Sequence, residues 1–292
     1  VSQLVLPILY ALLIWWASTG LVLYLDSLPR RTYRWSLAGA TALLPVALIV
    51  LEFAARSATP VAAYVAFTSA LIVWGWLELT FLTGVLTGPR REGCPEGCVG
   101  WRRFYYAVQA LLWHELAIAA GGALILALTW QAPNQVGFAT YAILWVMRIS
   151  AKLNVYLGVP NLSEDLLPEP IAYLKSYLGR RPMNLLFPFS VTLGTVGVML
   201  LAQAAMRPDA DAFLATAHML AAALLALAVL EHWFLVLPIR DAALWRWAVA
   251  ARANHDLDEK LEEDDRERVP LAAGPAWAAA APVPLTTRWR RR

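Results

Sequence analysis

Apolar residues in this chain gather into seven long runs separated by short polar or turn-rich connections. Read as 4–25, 36–55, 61–86, 104–130, 137–157, 185–205 and 213–238, each run can cross the hydrocarbon core of a bilayer, which takes about 20 residues of helix. The pattern predicts an all-α integral membrane protein, a bundle of seven transmembrane helices. Short connections such as 131–136 and 207–212 hold neighbouring spans antiparallel. The first run has neither a basic leading stretch nor a small-residue cleavage site, so it reads as a retained helix. No internal repeat stands out, which removes the support that a secondary transporter of the inverted-repeat kind would need.

Composition agrees. Of the 292 residues, 60% are hydrophobic and 15% charged, with a mean hydropathy of +0.54; a soluble domain carries about 25% charge. The net charge of +3 suits a lipid bilayer and gives no basic field for nucleic acid. Its distribution says more. Arg30, Arg31 and Arg34 follow span 1, Arg90, Arg91, Arg102 and Arg103 follow span 3, and Lys152, Lys175, Arg180 and Arg181 lie at and after span 5. The alternate connections offer only Arg56 and Arg207. By the positive-inside rule the N-terminus is periplasmic and the C-terminus cytoplasmic. Trp35, Trp101, Trp130 and Trp233, among 14 Trp residues, fall near span ends, where aromatic rings anchor at the headgroups. Trp74, Trp76, Trp113 and Trp145 lie deeper and read as core, or as the lining of a pocket.

Outside the spans, the loop 87–103 carries Cys94 and Cys98 as CPEGC, expected to be two reduced thiols on the cytoplasmic side. The segment 158–184 is punctuated by Pro160, Pro168, Pro170 and Pro182. Ser163 with Glu164 and Asp165 reads as the start of a turn, and IAYLKSYL reads as a surface-lying helix with Lys175 and Tyr177 near the headgroups. After span 7, residues 241–268 read as a charged cytoplasmic helix. Residues 269–292 read as a disordered Ala/Pro-rich basic tail.

The chemistry lies inside the spans. Glu78 occurs in WGWLELTF, His114 and Glu115 in LLWHELAI, Arg148 in ILWVMRIS, and Glu231 and His232 in AVLEHWFL. At 1.5 Å of rise per residue, Glu78, His114 and Glu231 fall about 10–15 Å from the cytoplasmic ends of their helices. Arg148 joins that level, with Lys152 and Asn154 nearer the cytoplasm; His218 and Glu52 lie apart, toward the other face. Ionisable groups at such depth cost about 2.5–3.5 kcal/mol each and point inward.

Three readings fit this slab. Arg148 and Lys152 can neutralise Glu78, Glu115 or Glu231 in a buried polar network that fixes packing. Glu78, His114, Glu115, Glu231 and His232 can hold a metal ion or the magnesium of a tetrapyrrole. The same groups can line a proton or substrate path, as in a proton-coupled transporter. Adjacent residues on a helix diverge by about 100°, so only one of each Glu–His pair can aim at a shared centre, unlike the Glu-x-x-His of di-iron bundles. Seven spans also suit retinal proteins, but span 7 has no Lys.

The stretch RISAKLNVYLGVPNLSEDLLPEPIAYLKSYLGRRPMNLLFPFSVT resembles the PuhE family, photosynthetic complex assembly protein 2 of anoxygenic phototrophic bacteria. The seven-span layout and the WHE and LEHW segments agree, so the resemblance covers roughly 1–245. It implies a role in building the reaction centre–light-harvesting complex and in modulating bacteriochlorophyll supply or incorporation. The partners implied are reaction-centre or antenna subunits, or pigment-synthesis enzymes, in the inner or intracytoplasmic photosynthetic membrane. The alternative is a membrane metal-dependent enzyme acting on a tetrapyrrole or other lipid-soluble substrate. The family offers no catalytic residue to carry over. The resemblance singles out Lys152, Asn154, Gly158, Pro160, Asn161, Tyr173, Lys175, Ser176, Tyr177, Arg181, Pro182 and Asn184, expected to form an ordered collar beneath the slab.

Overall fold

A computed structural model describes residues 2–162, 167–238, 244, 245, 247 and 248. The turn start expected at Ser163, Glu164 and Asp165 lies outside the described residues. So does everything read over 241–292 apart from Leu244, Trp245, Trp247 and Ala248.

The described elements are all helical. They are α1 (Ser2–Asp26), α2 (Tyr33–Ala55), α3 (Pro60–Leu82), α4 (Gly100–Leu128), α5 (Val136–Leu157), α6 (Leu186–Ala205) and α7 (Ala212–Phe234). All seven are long and apolar enough to cross a membrane. Local chemistry sets their starts. Pro60 opens α3, where Thr59 Oγ1 accepts from the Ala62 amide, and Asp211 Oδ1 accepts from the Leu214 amide at the start of α7. Each cap occupies one of the amides that a first turn leaves open.

Helices α3 and α7 are the most enclosed. Both carry buried alanines, Ala63, Ala66 and Ala70 on α3 and Ala215, Ala221 and Ala222 on α7, and Ala222 packs with Ala205 of α6. Around Phe67, Leu71, Phe213, Leu220 and Leu224, they form a dry core at one end of the bundle, with α1 and α5 packed against it. Toward the other end, the collar end, the helices diverge. The outer faces of α2 and α6 expose Val46, Ile49, Phe53, Phe189, Leu193 and Leu200, surfaces that suit contact with lipid.

Span 3 was expected to reach residue 86, but α3 stops at Leu82. The amides of Val85 and Leu86 both turn back onto the Thr80 carbonyl, and Gly84 takes the positive φ of 76° that closes the turn. The chain then lies directly on α4. The His114 amide, deep within α4, donates to the Thr87 carbonyl at 2.9 Å. A Cβ placed on Gly88 would sit 2.0 Å from the Gln109 carbonyl oxygen, so backbone meets backbone there. Span 7, expected to reach 238, ends at Phe234 because Asn161 takes its last carbonyls: its side-chain amide donates to Phe234 O and its backbone amide to Leu235 O.

Two expectations about the loops are corrected. IAYLKSYL is not an α-helix lying on a surface. Glu169–Tyr177 is a 3₁₀ helix, whose period of three puts Ile171, Leu174 and Tyr177 on one buried face against Phe81 and Ala110. Lys175 is exposed, but Tyr177 is in the core. Cys94 and Cys98 are not free thiols; they form a disulfide. A turn closed by the Cys98 amide on the Pro95 carbonyl, with Gly97 at φ 70°, brings their Cα atoms to 6.0 Å, within bonding range.

Gly88→Ala is expected to cost about 3 kcal/mol, the upper end for overpacking, because the clash is with backbone and no rotamer relieves it. Gly39→Ala, whose new Cβ meets nothing within 4 Å, should be neutral or stabilising by up to about 1 kcal/mol. Thermal melts of the two detergent-purified variants, followed by size-exclusion fluorescence, check both.

Candidate functional site

Where the bundle diverges it encloses a cavity of about 720 Å³. Helices α1, α3, α4, α5 and α7 form its wall, and Leu162, Leu167, Leu174 and Tyr177 of the collar also line it. Among its lining residues are Glu78, Glu115, Arg148, Lys152 and Glu231. Five of the eight residues expected in the slab therefore share one space.

They are arranged as pairs. Arg148 Nη2 donates to Glu78 Oε2 at 2.8 Å, joining α5 to α3. One turn on, Lys152 Nζ donates to Glu115 Oε1 at 2.6 Å, joining α5 to α4. Glu231 Oε1 accepts from the Trp15 indole at 2.8 Å, joining α7 to α1. Trp15 in turn meets Trp245 edge-on, centroids 5.4 Å apart, and Trp245 also lines the cavity. The neutralising network is the arrangement this geometry supports.

Neither imidazole lines the cavity. His114 is fully buried and stacks on Phe81 with ring centroids 4.4 Å apart. Neither of its ring nitrogens has a hydrogen-bond partner among the described residues. His232 faces the other way, into a seam between α5, α6 and α7. Its Nδ1 donates to the Ala228 carbonyl at 2.8 Å; a carbonyl can only accept, so in the neutral ring Nε2 is the acceptor. That nitrogen lies 2.9 Å from Ser150 Oγ. Ser150 Oγ in turn lies 2.8 Å from Ser190 Oγ, which accepts from Asn154 Nδ2 at 3.1 Å. In both Glu–His pairs the acid takes the cavity and the imidazole is turned out of it. Among the described residues no three His, Cys, Asp or Glu side chains gather where they could hold a metal ion. Among the described residues no imidazole lines the cavity, where it could ligate a tetrapyrrole. His218 stands apart, its Nδ1 2.8 Å from the Leu214 carbonyl.

The collar residues form one connected structure. The side-chain amide of Asn184 makes four hydrogen bonds: Nδ2 donates to the Asn154 and Gly158 carbonyls, and Oδ1 accepts from the Leu186 and Phe187 amides at the start of α6. Gly158 takes a φ of 121° against the aliphatic part of Arg181, and its backbone touches that of Gly179. Ser176 Oγ donates to the Tyr173 carbonyl and accepts from the Cys94 amide. Tyr177 accepts from Arg90 and donates to the Glu92 carbonyl, while its own carbonyl accepts from Arg103. Pro160, Lys175, Arg181 and Pro182 are exposed at the surface of this structure. Arg90 and Arg103, which the sequence offered only as loop charge, tie the 87–103 loop and α4 to the collar. Arg90 lies over the Tyr106 ring at 4.4 Å and Arg103 over the Tyr156 ring at 4.6 Å.

A protein from Rhodobacter capsulatus described as "Uncharacterized 30.4 kDa protein in puhA 5'region" is 38% identical over 267 residues, covering 90% of this chain and 96% of that protein. No solved structure matches the chain. The family model for DUF3623, described as a protein of unknown function, matches residues 1–256. That match runs through all seven helices, the cavity and the collar, and the chain belongs to the DUF3623 family.

Proposed function

We propose that the protein is an integral membrane assembly factor for the photosynthetic reaction centre–light-harvesting complex, modulating bacteriochlorophyll supply or incorporation. The collar carries this reading. The residues through which the chain resembles the PuhE family build a single hydrogen-bonded platform, with Pro160, Lys175, Arg181 and Pro182 on its outside, where a partner subunit or a pigment enzyme can dock. The puhA-region relative supports the photosynthetic setting. In this reading the membrane is the inner or intracytoplasmic membrane of a phototrophic bacterium, with the N-terminus periplasmic and the collar cytoplasmic. A reducing cytoplasm opens disulfides. The CPEGC loop does not depend on its disulfide alone, since Cys94 and Glu92 also bond to Ser176 and Tyr177.

The metal-enzyme alternative is less favoured by the geometry, because the carboxylates facing the cavity are taken up by Arg148, Lys152 and Trp15 and the imidazoles face elsewhere. The charged slab acts instead as the frame that sets helix positions above the platform. Deletion in a phototrophic host should leave pigment intermediates at their normal level and reduce assembled complex several-fold, measured together by absorbance and native gel. Accumulation of one pigment intermediate would favour the enzyme.

The platform should fail with its central amide. Asn184→Ala removes four hydrogen bonds from a buried site; at about 1 kcal/mol each the loss is roughly 3–4 kcal/mol, and complex yield should fall with thermal stability. The frame has its own test. Lys152→Met strands Glu115, whereas Lys152→Met with Glu115→Gln strands nothing. The double variant should be more stable than the sum of the singles predicts, by about 2 kcal/mol of coupling in a double-mutant cycle.

A further inference from the structure

The disulfide between Cys94 and Cys98 joins residues 4 apart in sequence. A bridge draws its hold on a fold from the length of chain it closes, so one this short constrains little. Its loop is anchored without it. Ser176 Oγ accepts from the Cys94 amide, the Gly93 carbonyl accepts from Arg90 Nη2, and the Glu92 carbonyl accepts from the Tyr177 hydroxyl. Past the bridge, α4 begins at Gly100, and Arg103 in its first turn donates to the Tyr156 and Tyr177 carbonyls. Opening the bond releases the tip formed by Pro95, Glu96 and Gly97 and leaves all of these bonds in place.

The bond is also within reach of a reagent. Both cysteines are partly exposed, and the three residues between them are exposed. A Cβ added at Gly97 or Gly100 would meet nothing within 4 Å, so space is open beside Cys98. Cys94 packs against the cluster of Phe81, Ile171, Leu174 and Tyr177, which makes Cys98 the more approachable sulfur. Attack there expels Cys94 as an anion. In the loop 87–103, Arg90, Arg91, Arg102 and Arg103 outnumber Glu92 and Glu96, a positive surrounding that favours a departing thiolate. By the positive-inside rule the same arginines put the loop in the cytoplasm. Lasting structural bridges are rare in that compartment, and those that form are mostly transient or redox-sensing.

We infer that Cys94 and Cys98 are a thiol–disulfide exchange site on the collar, cycling between bridge and dithiol by reaction with a thiol of the glutathione class. A donor thiolate attacks Cys98 Sγ, the bond between the two cysteine sulfurs breaks, and Cys94 leaves as a thiolate and takes a proton. A second donor thiolate attacks the donor sulfur of the mixed disulfide. Cys98 leaves as a thiolate and takes a proton, and the donor departs as its own disulfide. Two electrons and two protons thus reach the pair, and exchange with the oxidised donor restores the bridge. The tip adjoins the 3₁₀ helix through Ser176, so the reaction reshapes one edge of the collar without dismantling it. Of the function proposed above, this inference rests only on the cytoplasmic placement of the collar.

The test uses the full chain in phosphatidylcholine nanodiscs, equilibrated in mixtures of reduced and oxidised glutathione, quenched with acid and labelled with a mass-tagged maleimide. A single step from no labels to two is expected as the reduced form is raised, reversed when oxidised glutathione is restored, with the reduced chain still folded by size exclusion. In Cys94→Ser, oxidised glutathione should add to Cys98 about tenfold faster than it adds to Cys94 in Cys98→Ser, read by intact mass. A membrane-impermeant maleimide should label the reduced pair in inverted vesicles and not in spheroplasts. The inference is overturned by a pair that glutathione cannot cycle, by a chain that unfolds on reduction, or by equal rates of adduct formation in the two variants. Labelling in spheroplasts overturns the cytoplasmic placement and this inference with it. A pair that labels in inverted vesicles but does not cycle overturns the inference and leaves the placement standing.

Discussion

Two cations on one helix, in the middle of an apolar bundle, need two acids, and that requirement organises the centre of this protein. Arg148 and Lys152 lie one turn apart on α5, a spacing at which like charges repel. Each is answered from a different helix, by Glu78 on α3 and Glu115 on α4. Removing one partner of such a pair is far more costly than removing both. The pairs therefore help fix the positions of α3, α4 and α5 around the cavity, together with packing such as the Phe81–His114 stack. The opposite end is held by apolar packing instead, around Phe67 and Leu71 of α3 and Phe213, Leu220 and Leu224 of α7.

The collar continues the same logic where the helices end. A helix terminus leaves carbonyls or amides without partners, and here those of three helices are taken by asparagines. Asn154 belongs to α5 and reaches α6 through Ser190. Asn184 caps α6 and holds the end of α5. Asn161 closes α7. On the other flank, the loop after α3 lies on the backbone of α4, made possible by Gly88, and its far end is held by Ser176 and Tyr177. The floor of the cavity and the docking surface proposed for partners are thus two sides of one structure.

Much of this was legible in the sequence. Apolar runs of bilayer length gave seven helices with ends right to within a few residues, because hydrocarbon-length periodicity is a strong signal and competing signals within it are few. That Glu78, Glu115, Glu231 and Arg148 lie at a similar depth, with Lys152 nearer the cytoplasm, was read from helical rise alone; that all five line one cavity came from the structure. Which of them meet did not, because helix rotation is set by packing between helices. The imidazoles show the difference: spacing required that adjacent residues diverge, but not which one of each pair would face inward. Two other features were hidden for physical reasons. Glu169–Tyr177 has apolar residues at intervals of both three and four, so the same letters fit a surface α-helix or a buried 3₁₀ turn, and only contact with Phe81 and Ala110 decides. The approach of Gly88 to α4 leaves no periodic trace at all, since a glycine that permits contact looks like a glycine that permits a turn.

The division of the two Glu–His pairs also bears on what the centre can do. An acid turned inward and bonded to a neighbouring helix ties the two helices together and leaves the remaining wall free to be apolar. An imidazole turned outward, as His232 is toward Ser150, works as a hydrogen-bonding strut between helices rather than as a ligand. The result is a space whose polar groups are mostly occupied with one another, bounded by a rigid frame. Catalysis by proton transfer or metal ligation needs groups left free to exchange partners. Presenting a stiff platform to another protein needs the opposite, and the bonds that hold the cavity's acids to Arg148, Lys152 and Trp15 favour the assembly role proposed above.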